Sequence, residues 1–209
     1  MTVTQIEEIS KSRVRILIDE AFAFVLYKGE LRSYHIREGE EMGEEDYRSI
    51  LHELLPRRAK IRAMNLLKTR PYTVKQLYDK LKTGGYPEEV IQSALDYVAG
   101  FHYTDDLRYA VSYIRSHENA RSRRRIEQEL QGKGIPRDIL EQAWEAWEEE
   151  GGSQDEQAMI RALLEKKGFR PESADRREKQ RMYAFLMRKG FSGEQVRRAV
   201  LSGENFEWE

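Results

Sequence analysis

Histidines, paired acids and a glycine-rich stretch are the residues whose types permit chemistry, and in each case the spacing opposes it. The four histidines, His35, His52, His102 and His117, lie scattered, at none of the separations that bring imidazoles to one metal. His102 and His117 flank one predicted helix but have no clear third ligand. Asp105 and Asp106 are adjacent. Neighbours on a helix point in different directions, so the pair suits an N-cap and a first-turn charge better than a shared acid–base or metal site. The stretch TGGY at 83–86 lacks the Gly-Lys-Ser/Thr ending of a phosphate-binding loop and reads as a helix stop. Cysteine is absent, which removes disulfides and thiolate chemistry and fits a reducing cytoplasm. The sequence therefore predicts a protein that is not an enzyme and needs no metal or cofactor. Recognition is the chemistry left.

The side chains best suited to recognition are cationic. SRRRIEQELQGKGIP, residues 122–136, reads as a helix capped by Ser122 with Arg123, Arg124 and Arg125 in its first turn. The positive end of the helix dipole lies there, so each exposed cation costs about 0.3–1 kcal/mol. Arg123 and Arg125 have i,i+4 partners in Glu127 and Glu129. Such pairs return only about 0.2–0.5 kcal/mol each, and the basic-first order is the poorer one. Arg121 and Arg124 have no obvious acidic neighbour. Arg123 aligns with Val74 one repeat earlier, so its stem is expected to cover the core edge. Arginines at a helix N-terminus make a stronger site for phosphate or carboxylate. Arg115, Arg121, Arg124, Arg125 and Lys133 are expected to form one basic surface, and Arg70 and Lys75 join them as candidate contacts for a partner or DNA.

These residues must be positioned by small modules. The chain has 209 residues, 35% of them charged and 39% hydrophobic, which is thin for one large core and favours several small ones. A mean hydropathy of −0.79 and the lack of a long apolar run predict no transmembrane helix, and the N-terminal MTVTQIEEISKSRVRIL lacks the basic-then-apolar order of a signal peptide. The net charge of −1 hides blocks. Residues 57–82 hold nine bases and one acid, whereas residues 138–156 hold eight acids and no base. Local fields decide whether a polyanion binds, so near-neutrality does not exclude one.

Near the N-terminus, Val14, Ile16 and Ile18 alternate with Arg13, Arg15 and Leu17, and AFAFVLY follows at 21–27 after Asp19-Glu20. This predicts a β-hairpin. The acidic stretch 38–46 reads as a loop ending near Gly43, before a helix from about Glu44. From Pro56 onward a helical pattern repeats. With Gly85, Gly134 and Gly190 aligned, Leu81, Leu130 and Leu186 stand four residues before and Leu77, Ile126 and Met182 eight before. Tyr86, Ile135 and Phe191 follow one after; Ile91, Leu140 and Val196 six after; Ala94, Ala143 and Ala199 nine after; Leu95, Trp144 and Val200 ten after. Positions −8 and −4 line one helix face, and the glycine is a stop, because left-handed geometry disfavours a Cβ. A further helix precedes each unit, at about Arg58–Lys68, Asp105–Ser116 and Gln154–Lys167. The fold class is mainly α: tandem three-helix repeats, elongated and curved, with an N-terminal β-hairpin extension. The expected boundaries are 1–55 for the extension and linking helix, 56–103, 104–152 and 153–209 for the repeats, the last with an insertion at 168–175 and a short tail. Tyr109, Tyr113, Trp144 and Trp147 are expected in the core rather than stacked on bases. Trp208, in the tail GENFEWE, is expected to be mobile, with a docking peptide as the alternative.

YTDDLRYAVSYIRS (103–116) followed by RRRIEQELQGKGI (123–135) resembles the central signature of the RecX family, regulatory proteins of the RecA recombinase. The matching residues are Asp105, Asp106, Tyr109, Ala110, Arg115, Arg125, Ile126, Glu129, Leu130, Lys133, Gly134 and Ile135. YTVKQLYDKLKTGGYPEEVIQSALDYV and YAFLMRKGFSGEQVRRAV resemble that family's first and third repeats, so the likeness spans about residues 57–201. One departure is NARSR at 119–123, where the family often carries a glycine-containing segment. The resemblance implies a monomer that binds within the groove of the RecA–DNA filament and inhibits strand exchange and the coupled ATP hydrolysis, with single- or double-stranded DNA as a further ligand and no membrane partner. The alternative is a DNA-binding helical-repeat protein that acts independently of RecA.

Overall fold

Alternation with a period of two produces the expected hairpin. Strand β2 (Arg13–Ile18) pairs antiparallel with β3 (Ala21–Tyr27) in a computed structural model that describes residues 1–201. The two residues between them, Asp19 and Glu20, both have positive φ, at 49° and 66°. That suits the twist of a two-residue hairpin turn. The structure adds a third strand, β1 (Val3–Glu8), antiparallel to β2, giving the order β1-β2-β3. Its apolar residues, Val3 and Ile6, are out of phase because the register shifts between Val3 and Gln5. A bulge of this kind hides a strand from any period-two reading.

The inward face of the sheet does not form a core of its own. Val14, Ile16, Phe24 and Leu26 are buried in one cluster with Ile50, Leu55, Leu77, Leu81 and Ile91. The short helix α1 (Lys28–Ser33) follows the sheet, and α2 (Glu44–Ser49) starts at Gly43 as expected. Helix α2 passes without a break through a π turn (Ile50–Leu54) into α3 (Leu55–Thr69). Pro56 has no N–H for the turn ahead of it, and the helix widens at that place. The helix expected from Arg58 is thus the later part of a longer one. Helix α4 (Val74–Thr83) opens on a capping box: Thr73 Oγ1 accepts from the Gln76 N–H at 3.1 Å, and Gln76 Oε1 accepts from the Thr73 N–H at 3.3 Å. Gly85, at φ 82°, ends that helix, and α5 (Glu88–Gly100) completes the first compact unit, Met1–Asp105.

The second unit begins at Asp106 and contains two further three-helix repeats. One consists of α6 (Asp106–His117), α7 (Arg123–Gly132) and α8 (Arg137–Glu149). The other consists of α9 (Glu156–Lys166), α10 (Arg176–Arg188) and α11 (Gly193–Leu201). The aligned columns are the cores. Leu81, Leu130 and Leu186 are fully buried, as are Ile91, Leu140 and Val196. Gly134 and Gly190 repeat the left-handed stop, at φ 87° and 94°. The insertion at 168–175 ends at Asp175, whose carboxylate caps α10 through the Glu178 N–H at 2.7 Å. Trp144 and Trp147 are buried, as expected, and Tyr109 and Tyr113 pack half-buried against them. Trp208 and the rest of GENFEWE lie outside the described residues. Among the described residues, no helix is long and apolar enough to cross a membrane, and no group of three or more His, Asp or Glu is placed to hold a metal ion.

Candidate functional site: the arginine-rich start of α7

The first turn of α7 is anchored before its arginines are. Ser122 is buried; its Oγ accepts from the Arg125 N–H at 3.2 Å and donates to the Lys189 carbonyl at 3.2 Å. The neighbouring Gly190 lies so close that a Cβ there would stand 2.5 Å from Ser122 Oγ. The α10–α11 turn therefore sits on the start of α7. A second anchor comes from the segment leading into α9. Gln154 Nε2 donates to the carbonyls of Glu118 and Arg121 at 2.6 and 2.7 Å, and Glu156 accepts from the Arg123 N–H at 2.7 Å. A carboxylate thus meets one of the orphan N–H groups at the positive end of α7 and offsets part of what the arginines cost there.

The arginines then divide. Arg123 bonds Glu127 at 3.1 Å and Glu148 at 3.3 Å, and its guanidinium lies 4.5 Å from the centre of the Trp144 ring. That contact places its stem over the core, as expected. Arg125 bonds Glu129 at 2.8 Å, again as expected. Arg121 corrects the sequence reading. It is paired with Glu129 and donates to the Tyr113 hydroxyl at 2.6 Å, while Tyr113 donates to Glu129 at 2.6 Å. Eight residues separate Arg121 from Glu129, which is no helical pairing distance; the bend into α7 brings them together. Burial raises the Glu129 carboxyl, but the Tyr113 hydrogen bond and the charges of Arg121 and Arg125 outweigh it and hold the group below its ordinary range. Burial and the same hydrogen bond push the Tyr113 hydroxyl up.

Acids on α7 itself, on α8 and just past its end stand among these cations. Arg121 and Lys133 lie over the Tyr113 ring, the Lys133 ammonium 5.4 Å from its centre, and His117 stacks on that ring at 4.1 Å; Arg125 joins them through Glu129. Arg115 is drawn into an ion pair with Glu150 at the end of α8. Arg124 is exposed, and no hydrogen bond or ion pair holds its side chain among the described residues. Arg70 and Lys75 belong to the first unit. Arg70 lies over Tyr72 at 4.5 Å and Lys75 bonds Asp79 at 2.5 Å. Sequence reasoning paired Glu129 with Arg125 but missed its second partner, Arg121, and missed Tyr113 and Glu156.

Sheet, stops and buried columns together define a class: a tandem three-helix-repeat protein with a small N-terminal sheet. The models for the first, second and third three-helix domains of RecX match residues 59–97, 105–143 and 154–200. The regulatory protein RecX of Caldanaerobacter subterraneus subsp. tengcongensis is 31% identical over 202 residues, 96% of this chain and 98% of its own. That of Clostridioides difficile strain 630 is 26% identical over 98% of this chain and 97% of its own. The crystal structure of a regulatory protein RecX, 25% identical, superposes with a TM-score of 0.56 over 97% of this chain and 99% of its own. The chain belongs to the RecX family of regulatory proteins.

Proposed function

We propose that this chain regulates the RecA recombinase: it binds the RecA–DNA filament and inhibits strand exchange and the ATP hydrolysis coupled to it. The observation that carries the reading is the agreement of all three repeats, in order, with the three RecX domains, alongside full-length relatives named as regulatory proteins. The contact surface in this reading centres on Arg124, whose charge is left for a partner, with Arg121, Arg125 and Lys133 beside it. Arg115 is an outer contact whose present ion pair is exposed and cheap to exchange; Arg70 and Lys75, in the first unit, are separate candidate contacts. The protein acts as a cytoplasmic monomer without a cofactor.

The test is ATP hydrolysis by preassembled RecA filaments on single-stranded DNA, titrated with this protein at sub-stoichiometric ratios. Inhibition that excess free DNA does not relieve is the expected result. Unchanged hydrolysis, with binding to naked DNA intact, would replace this reading by a helical-repeat protein that binds DNA independently of RecA.

A further inference from the structure

Outside the arginine site, the first unit leaves a group of large apolar side chains in water. Phe101 is 57% exposed, Ile61 53%, Tyr103 49% and Tyr97 40%. The three rings form a continuous row: Tyr97 and Phe101 have centroids 5.0 Å apart, and Phe101 and Tyr103 stack at 5.9 Å with planes 23° apart. The Lys60 ammonium lies 5.2 Å from the centre of the Tyr97 ring and ties the row to α3. Contiguous exposed apolar surface of this kind marks an interaction site more often than a packing accident.

The second repeat closes in the same way without such a row. Moving 49 residues on, the offset between Gly85 and Gly134, replaces Tyr97, Phe101 and Tyr103 by Ala146, Glu150 and Gly152. The backbone closes in the same way at both places. His102 N–H bonds the Ala99 carbonyl at 2.8 Å and Tyr103 N–H the Val98 carbonyl at 3.0 Å; Gly151 and Gly152 bond Glu148 and Trp147, each at 3.0 Å. The left-handed position is Gly151 in one repeat, at φ 86°, and His102 in the other, at φ 56°. The first repeat thus accepts a side chain where glycine is favoured and carries rings on both sides of it.

Charge decides what fits. Helix α3 carries Arg57, Arg58, Lys60, Arg62 and Lys68 and no acid. Arg58 is taken up by Glu30 and Arg62 lies with it toward Tyr86, while the exposed Arg57 and Lys68 share the side of the helix that carries Lys60. A second copy of this face would meet like charge. A polyanion with flat, unpaired faces meets both halves of the surface: rings for its bases and cations for its phosphates. We propose that Tyr97, Phe101 and Tyr103, flanked by α3, form a stacking platform for single-stranded nucleic acid. Duplex is a poor ligand for it, because pairing hides the base faces. The platform is tolerant of sequence, because every base has a face to stack.

The experiment measures fluorescence anisotropy of a labelled oligothymidylate titrated with the full chain at low salt, with no recombinase present. Phe101→Ala is expected to weaken binding by about tenfold, Phe101→Leu to do the same, and Phe101→Trp to restore it. Lys60→Gln is expected to lower the salt slope by about 0.7. An unlabelled duplex of equal length competes poorly. Phe101 is largely exposed, so these variants melt with the parent, and thermal unfolding checks it. No saturable binding by the parent, or unchanged affinity in Phe101→Ala and Tyr103→Ala, overturns the proposal. Unchanged oligonucleotide affinity with lost filament inhibition identifies a protein-docking face instead. The assay contains no filament, so a failed filament-inhibition experiment leaves its outcome standing.

Discussion

In the first repeat Tyr97 on α5 and Phe101 just past its end face outward, whereas the equivalent helix α8 of the second turns Trp144 and Trp147 inward. The same contrast holds for charge. Helix α3 carries five cations and no acid, while three of the four arginines at 121–125 are held by carboxylates from α7 or α8. Both modules nevertheless bury the same columns, with Leu81 matching Leu130 and Ile91 matching Leu140. The lesson is a division of labour. Inward positions obey one packing scheme in every repeat, and outward positions are free to differ.

Four experiments break or sharpen that comparison. The largest effect is expected in the shared columns: Leu81→Ala and Leu130→Ala should each cost about 2–5 kcal/mol in urea unfolding, since both side chains are fully buried. A small loss at either position would show that the two modules do not share a core. Next come the stops. Gly168 and Gly190 both have positive φ, but a Cβ at Gly168 meets nothing within 4 Å, whereas one at Gly190 runs into Ser122 and Arg125. Gly168→Ala should therefore cost roughly 1–2 kcal/mol and Gly190→Ala clearly more, as read from melting temperatures. Equal costs would mean that the α10–α11 turn does not press on α7.

Glu129→Gln should destabilise the second unit by about 1–3 kcal/mol, because it strips two arginines of their shared partner. The sign of the pH dependence follows from its lowered carboxyl. The stabilisation is fully present above the ordinary value of 4.5 and is lost as pH falls through the lower folded value. Tyr113, whose hydroxyl is raised, contributes stability that is present below the ordinary value of 10.0 and lost as pH rises through the folded value. Denaturant midpoints across pH should show a shallower acid limb in Glu129→Gln than in the parent; identical limbs would remove Glu129 from the network. The smallest stability change belongs to Arg124→Ala, about 0.5 kcal/mol or less, together with weaker inhibition of RecA filaments. A larger loss in its melting curve would reveal a structural partner for Arg124.

Much of this was legible residue by residue. The Leu81, Leu130 and Leu186 columns, the glycine stops, the Thr73 and Ser122 caps and the Arg123–Glu127 and Arg125–Glu129 pairs all follow from spacings of three to five along the chain. Strand β1 was hidden because its bulge puts Val3 and Ile6 out of phase. The row of rings at the end of α5 was hidden for the opposite reason: Tyr97 and Phe101 are four apart, a spacing that suits a buried stripe as well as an exposed one. The candidate site was half visible. The arginines could be counted, but Arg121–Glu129, Arg115–Glu150 and the Glu156 contact to the Arg123 N–H could not be foreseen.

The sequence alone determined the repeat, its stops and its buried faces, because helical period, capping and left-handed backbone depend on residues a few positions apart. The tertiary structure alone decided which charges are neutralised and which rings face water. Glu150 meets Arg115 from 35 residues away, and Ser122 meets the Lys189 carbonyl from 67. Contacts across such distances exist only once the helices have packed, and whatever that packing leaves uncovered is what a partner can touch.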